Sequence, residues 1–371
     1  MKKIIILISI NVFLVIGFFV CLIVADSIIS SLRSQQAAQS WAGQSDERFA
    51  QVSAFFPQSH QFEQQDIFAM RNAVDAALLA VSIEAQGRRV FYSDAWTSEG
   101  SVNIISERSS SSASAIGVGG NFFLFHPLRL RDGSYISPDD FARDLVVFDE
   151  ELAWRLFGSA ELAGLDVFIN NQPFTIAGVV ARENDFATRR AYDRGAGLFM
   201  SHEALNALTG GEVRIKSYKI VMPDPITGFA LTTVTDFFGE SDVHMVENSA
   251  RFNLTRAFSR IASFGERSML TEAIELPYWE NAARFAEDVQ ALLLAISIVL
   301  IITPIVFLII LIVKLIRYLI GRSKRTIIRA IEERDRRAYE KYVAEHYTDT
   351  DRSDYSVDEI IREVKEDGFA P

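Results

Sequence analysis

Two long stretches without a single charge, one near each end, constrain this chain more than any other feature. From Ile4 to Ala25 the sequence runs IIILISINVFLVIGFFVCLIVA, and from Val289 to Val313 it runs VQALLLAISIVLIITPIVFLIILIV. At about 1.5 Å rise per residue, each exceeds the roughly 30 Å of hydrocarbon in a bilayer. A cleaved signal peptide has a shorter apolar core and a small-residue cleavage site, whereas here the run leads into Asp26-Ser27-Ile28-Ile29. The second stretch lacks the polar face that a helix on a soluble core keeps. Pro304 is compatible with a span, since membrane helices tolerate kinks whose freed carbonyls find partners nearby. Both stretches are expected to cross the membrane.

The basic residues then set an orientation. Lys2 and Lys3 precede the first span, while Lys314, Arg317, Arg322, Lys324, Arg325 and Arg329 follow the second. Positive charge stays on the cytoplasmic side, so both termini are expected there and everything between the spans outside. That middle segment carries most of the acidic excess behind the net charge of -11, which argues against nucleic acid as a partner. The sole cysteine, Cys21, lies in the first span. The exported part therefore has neither disulfide nor thiol ligand, and its stability must come from an apolar core.

Residues 26–52 contain no proline and are rich in Ala, Gln and Ser, so the first span is expected to continue as a helical stalk despite Gly43. Pro277 suits the first turn of a second stalk running into the second span. Between them, strand and helix patterns alternate. Val52–Phe56 is an expected strand, Glu63–Leu79 an amphipathic helix, and Val90–Trp96 and Ser101–Ser106 are strands flanking Ser98-Glu99-Gly100. Ser109–Ser114 is expected as an exposed loop and Gly117-Val118-Gly119-Gly120 as a turn. Leu145–Phe148 is a buried strand, followed by a helix opened by Asp149-Glu150-Glu151 and closed at Gly158. Leu165–Ile169 and Phe174–Val180 alternate apolar and polar around Asn170-Asn171-Gln172-Pro173, a hairpin signature. Ser217–Met222, Ile226–Phe238 and Val243–Glu247 form a further strand, helix and strand.

The expected fold class is thus α+β: a two-span membrane protein whose extracytoplasmic domain has two subdomains on helical stalks. Residues 1–33 hold the N-terminus and first span, 34–285 the exported domain with an inserted subdomain at about 115–205, 286–320 the second span, and 321–371 a cytoplasmic tail.

The stretch Val146-Val147-Phe148-Asp149-Glu150-Glu151-Leu152-Ala153, with Leu156-Phe157-Gly158, Gly164, Val167–Phe174 and Ala177-Gly178-Val179-Val180, resembles the periplasmic core domain of MacB-like, FtsX-like ABC transporter permeases. Gly120-Asn121-Phe122-Phe123, Pro127-Leu128 and Gly133 are similar to the segment preceding it there. The similarity covers roughly residues 1–285 and rests on apolar, glycine and turn positions, so it implies a fold and no chemistry. It implies a domain that relays conformational change between cytoplasmic ATP hydrolysis and events outside, with ATP on a separate ATPase subunit and no cofactor in this chain. The lipid bilayer, an ABC ATPase, other permease subunits and a second copy of the chain are the partners it suggests. Family permeases have three spans after this domain and this sequence has one, which leaves an accessory role or an envelope-ligand sensor or adaptor as the alternative.

Nothing in the sequence converges for catalysis. His60, His126, His202, His244 and His346 are scattered without a metal-ligand spacing. Asp139-Asp140 and Asp149-Glu150-Glu151 each fit the opening of a helix better than an acid/base pair. No G-x-x-x-x-G-K-[ST] occurs, so the chain has no P-loop. Arg189-Arg190 with Asp193-Arg194 fits a solvated loop, with a partner contact as the alternative. The tail from Lys314 offers a basic, partly apolar helix, with Ile320, Ile327, Ile328, Ile331, Tyr339 and Val343 along a stripe, for anionic lipid or for docking against an ATPase. A short helix is expected at Val357–Val364.

Overall fold

A computed structural model describes residues 2–45, 47–83, 91–106, 110–140, 142–191, 197–239, 241–262 and 274–346. The chain forms two compact units, one spanning Phe18–Ile298 and the other combining Met1–Gly17 with Val299–Pro371.

The larger unit is organised by one mixed sheet. Its strands are β1 (Phe49–Phe55), β2 (Ser93–Ile105), β3 (Ser110–Gly120), β4 (Leu130–Gly133), β5 (Leu145–Asp149), β6 (Asp166–Ile169), β7 (Gln172–Val180), β8 (Gly197–Ser201), β9 (Ile215–Pro223) and β10 (His244–Glu247). They lie in the order β10-β1-β9-β2-β3-β8-β5-β7-β4, with β6 paired to β2 and β7. The β3–β8 and β5–β7 pairs are parallel and the other pairs antiparallel.

Side chains alternate between two buried faces, as period-two strands covered on both sides require. On one face, Val146, Phe148, Leu198 and Met200 join Val102 and Ile104 beneath α5 (Glu150–Phe157) and α7 (His202–Leu208). Further along that face, Val52, Ile220 and Trp96 pack under α3 (Gln64–Ala80) and α8 (Phe229–Phe238). Val147, Phe199, Ile116 and Val221 point the other way, toward α2 (Ala37–Ala42), α4 (Phe122–Phe125) and Tyr278 and Trp279, which open α10 (Tyr278–His346).

Local chemistry explains why the elements begin and end where they do. Glu63 and Asp66 form a capping box at α3, with the Glu63 amide donating to Asp66 Oδ2 at 2.8 Å. Ile67, Met70, Val74 and Leu78 line its buried side, while Phe68, one residue round the helix, is 57% exposed. Asp149 caps α5 by accepting from the Leu152 amide at 2.7 Å, and Gly158 closes it in the left-handed conformation at φ 71°. Asn170 and Asn171, at φ 46° and 65°, supply the two positive angles of a hairpin turn whose twist matches its strands.

Several sequence expectations are corrected. Ser110–Ser114 is not a loop but the start of β3, which pairs with β2 from Ile105↔Ser110 to Ala95↔Gly120, and Ser109 lies outside the described residues. Ser98-Glu99-Gly100 does not separate two strands, because β2 runs straight through it; a bulge against β9 between Thr97 and Ser98 absorbs the irregularity. Val90 lies outside the described residues. Gly117–Gly120 is strand and only its end turns, since Gly119 lies opposite Trp96 and a Cβ there would fall 2.1 Å from the indole. Substituting Gly119→Ala therefore overpacks the face beneath α3, and a loss of about 1–3 kcal/mol is expected as a lowered Tm. The stalk over 26–52 is not one helix: α1 (Lys2–Ser31) ends, a 3-10 turn follows at Arg33–Gln35, and the chain enters β1 after α2. Residue 115, near the expected start of the inserted subdomain, lies within β3.

In the smaller unit, α1 and α10 meet at Gly17, where an added Cβ would come 3.3 Å from Leu300 Cδ1, a close approach that small residues permit in membranes. Asn11 donates its side-chain amide to the Leu7 carbonyl at 2.8 Å, while its Oδ1 is buried without a partner inside the apolar run. Elsewhere large apolar groups face outward, with Phe13 74% and Val299 69% exposed. A water-soluble fold does not leave such a surface bare, and the two helices are long and apolar enough to cross a membrane. The residues beyond His346, including the expected helix at Val357–Val364, lie outside the described residues.

Candidate functional site

The basic residues singled out in the sequence, Lys314, Arg317, Arg322, Lys324, Arg325 and Arg329, all lie on α10 and are exposed. Leu315, Ile316, Leu319 and Ile320 are exposed between them, so this segment offers mixed basic and apolar surface and no enclosed site. The buried chemistry gathers instead where the chain leaving α1 and the start of α10 meet the sheet.

Ser31 ends α1 by donating its hydroxyl to the Ile28 carbonyl at 2.7 Å. The chain is then strapped to β1 by fully buried Gln51, whose Oε1 accepts from the Ala37 amide (3.0 Å) and whose Nε2 donates to the Ser34 carbonyl (2.9 Å). Gln35 reaches inward, and its Oε1 accepts from Asn248 Nδ2 at 2.6 Å and from Arg251 Nη1 at 3.1 Å. Asn248 Oδ1 accepts in turn from Ser53 of β1 at 2.8 Å.

Arg251 is the hub. It is 1% exposed, and its guanidinium donates Nε to Glu287 Oε1 (2.7 Å), Nη1 to Glu280 Oε2 (2.7 Å) and Nη2 to Glu280 Oε1. Arg260 from α9 (Leu254–Ala262) donates to the same Glu287. Burial works against the charged guanidinium, but the Glu280 and Glu287 carboxylates outweigh it, and the Arg251 pKa is raised. Glu280 and Glu287 are two turns apart on one face of α10, separated by buried Ala282, Ala283 and Ala286. The cluster thus ties three separate pieces of chain together: the exit from α1, the segment before α9, and the start of α10.

A second buried set adjoins it. Lys219 of β9 donates Nζ to His126 Nε2 at 2.9 Å, and the imidazole is sandwiched between Phe122 at 4.5 Å and Trp279 at 4.4 Å between ring centroids. Burial lowers the Lys219 pKa to about 7, against the opposing pull of Glu280 and Glu183, and it also holds His126 well below the usual imidazole range. Glu183 accepts from Tyr278 Oη at 3.0 Å, and burial raises its pKa.

Arg251, Glu280, Glu287, Lys219, His126 and Trp279 are buried and Glu183 and Arg260 partly so, and although His126 Nδ1 and Trp279 Nε1 find no partner, the bonds among the rest fasten chain segments to one another. The remaining candidates stay apart. His202 bonds through Nδ1 to Ser98 Oγ at 2.8 Å, His60 stacks on Phe56, and His244 lies against Phe55. Asp149 accepts from the Leu152 and Gly197 amides, and its pKa is raised by burial although those bonds oppose it. Asp139-Asp140 does not open a helix: Asp140 accepts from the Ser137 amide in a turn. Among the described residues no group of three or more His, Cys, Asp or Glu could hold a metal ion. Arg189 and Arg190 lie on α6 (Thr188–Ala191), with Arg190 stacked 4.2 Å from the Phe186 centroid; Asp193-Arg194 lies outside the described residues.

No sequence motif marks this junction. Its legible signal was Glu280 and Glu287, seven residues apart in an alanine-rich turn leading into an apolar span.

A mixed α+β body whose chain runs into two helices long and apolar enough to cross a membrane defines a candidate membrane protein with one folded domain between its spans. The model of the MacB-like periplasmic core domain matches residues 5–236, and the chain belongs to that family, whose members are domains of ABC transporter permeases. It is 39% identical over 74 residues to the macrolide export ATP-binding/permease protein MacB of Chromobacterium violaceum, covering 19% of this chain and 12% of that protein. It is 28% identical over 133 residues to the MacB of Aggregatibacter actinomycetemcomitans, covering 35% of this chain and 20% of that protein. The matched region thus spans at most about a fifth of these relatives' length. Among solved structures, the periplasmic region of MacB from Actinobacillus actinomycetemcomitans aligns with a TM-score of 0.39 at 16% identity, covering 54% of this chain and 89% of that one. The extracellular domain of the noncanonic ABC-type transporter YknZ from Gram-positive bacteria aligns with a TM-score of 0.37 at 13% identity, covering 53% and 99%.

Proposed function

We propose that this protein is a non-catalytic, permease-like component of an ABC transporter system, and that its exported domain passes conformational change between the membrane segments and partners outside. ATP is hydrolysed on a separate ATPase subunit, both termini are cytoplasmic, and no cofactor is needed in this chain. The observation that carries this is the Arg251 hub, because the same guanidinium engages Gln35, just past α1, and Glu280 and Glu287 at the approach to the second span. A shift of either segment relative to the other must break or carry a bond to the buried guanidinium, a hydrogen bond at Gln35 or an ion pair at Glu280 and Glu287, so the domain is mechanically coupled to both. The basic residues from Lys314 to Arg329 support a cytoplasmic surface facing anionic lipid or the ATPase.

Purification of the tagged full chain from native membranes in mild detergent is expected to return an ABC ATPase. Deleting residues 322–371 is expected to lose it while leaving the chain in the membrane. Recovery of no ATPase or permease subunit would overturn the proposal. The exposed basic helix also suits a second reading, a sensor or adaptor that binds an envelope ligand and signals through its tail. On that reading the deletion abolishes a downstream response, and no ATPase co-purifies with either form.

A further inference from the structure

We infer that α9 is a membrane-surface helix, lying in the headgroup layer of the leaflet next to the exported domain with Leu254 and Phe258 buried among the acyl chains. Its sequence, LTRAFSRIA, sorts sharply by side. Ala257 is buried against the body, Arg256 is held by Glu247 at 2.9 Å, and Arg260 is held by Glu287. The large apolar residues point away from the body: Leu254 is 64% and Phe258 50% exposed, one turn apart. An amphipathic helix with arginines flanking an aromatic and aliphatic face is the pattern that settles at a lipid–water boundary.

What covers that face follows from where the helix starts. Gln290, one residue into the charge-free run that begins at Val289, donates its amide to the Phe252 carbonyl at 2.8 Å, two residues before α9. Phe252 also packs on the buried cluster of Leu32, Ala282, Ala283 and Ala286, the same cluster that Ile28, three residues past the first charge-free run, packs against. Both spans therefore hold the start of α9 at their outer ends. The run from Val289 to Val313 is about five residues longer than the ~20 needed for hydrocarbon, so its first residues emerge into the interfacial zone. The chain entering α9 is thus tied to α10 at Gln290, just before α10 begins to expose Leu292 and Ile296, and the occupant of the α9 apolar face is the bilayer.

The test uses nitroxide labels on the full chain in phosphatidylglycerol–phosphatidylethanolamine vesicles, with Cys21→Ser as background and single Phe258→Cys, Ser259→Cys and Val306→Cys variants. Collision with oxygen and with a water-soluble nickel chelate is measured at each position. Phe258→Cys is expected to favour oxygen over nickel about threefold more than Ser259→Cys does, approaching the mid-span value at Val306→Cys. Equal ratios at 258 and 259 would overturn the inference. So would shielding of position 258 from both probes, which would mean that a second copy or another protein covers it. Failure of Val306→Cys to favour oxygen would instead defeat the spanning arrangement on which the inference rests, and the two failures are distinguishable.

Discussion

The Arg251→Met variant is expected to lose about 3–5 kcal/mol of stability, because a buried carboxylate left without its counter-ion keeps its desolvation cost and has no partner. Arg260 still serves Glu287, so Glu280, 0% exposed, is the group left stranded. For a domain of this size the loss corresponds to a Tm roughly 10 °C lower in thermal unfolding of the detergent-solubilised chain. The paired variant Arg251→Met with Glu280→Leu is expected to recover most of that loss, since removing both charges spares the cost that removing one imposes. Its recovered fold separates stability from coupling. If the hub carries motion, the paired variant stays folded and in the membrane, yet the turnover of a co-purifying ATPase no longer depends on this chain. A paired variant as unstable as the single one would show that the site is sensitive to shape more than to charge.

The second large effect is on pH dependence. Lys219 keeps its proton up to its ordinary value of 10.5 in the unfolded chain, whereas in the folded chain burial lowers the pKa to about 7. Between those values the unfolded state binds more protons, so folding stability from this group rises with pH across that window, and the full penalty is present below it. Lys219→Met removes the titration but leaves His126 Nε2 without its donor at 2.9 Å. The variant is therefore expected to be more stable than the parent near pH 6 and less stable near pH 10, with the difference changing by about 4 kcal/mol in between. Parallel Tm-versus-pH curves for the two proteins would show that Lys219 is not held in a depressed state.

How much of this was legible in the sequence depends on how local each cause is. Leu145–Val180 was readable because its signals act over a few residues: an acidic cap at Asp149, a left-handed Gly158, and two asparagines in a tight turn. The serine run was misread because its strand character comes from pairing with β2, and because buried Ala113 and Ala115 were too small to announce an inward face. Gly119 was misread for the converse reason, since its missing side chain answers to Trp96 on another strand. The helical stalk over 26–52 failed at Leu32, which turns inward to a core that local propensity cannot foresee. The two spans were legible because lipid imposes its requirement on a contiguous run. The Arg251 hub was not, as its partners Gln35 and Glu287 come from opposite ends of the domain and none of these residues sits in a motif.

The unbroken β2–β3 ladder bears on how any displacement spreads. Eleven residue pairs run across the seam where an inserted piece was expected, so flexing the body there would mean unzipping hydrogen bonds in the middle of a wide plate. A push delivered at β1, next to the β10 edge, therefore reaches β7 and β4 as a tilt of the whole plate instead of dying out in a hinge.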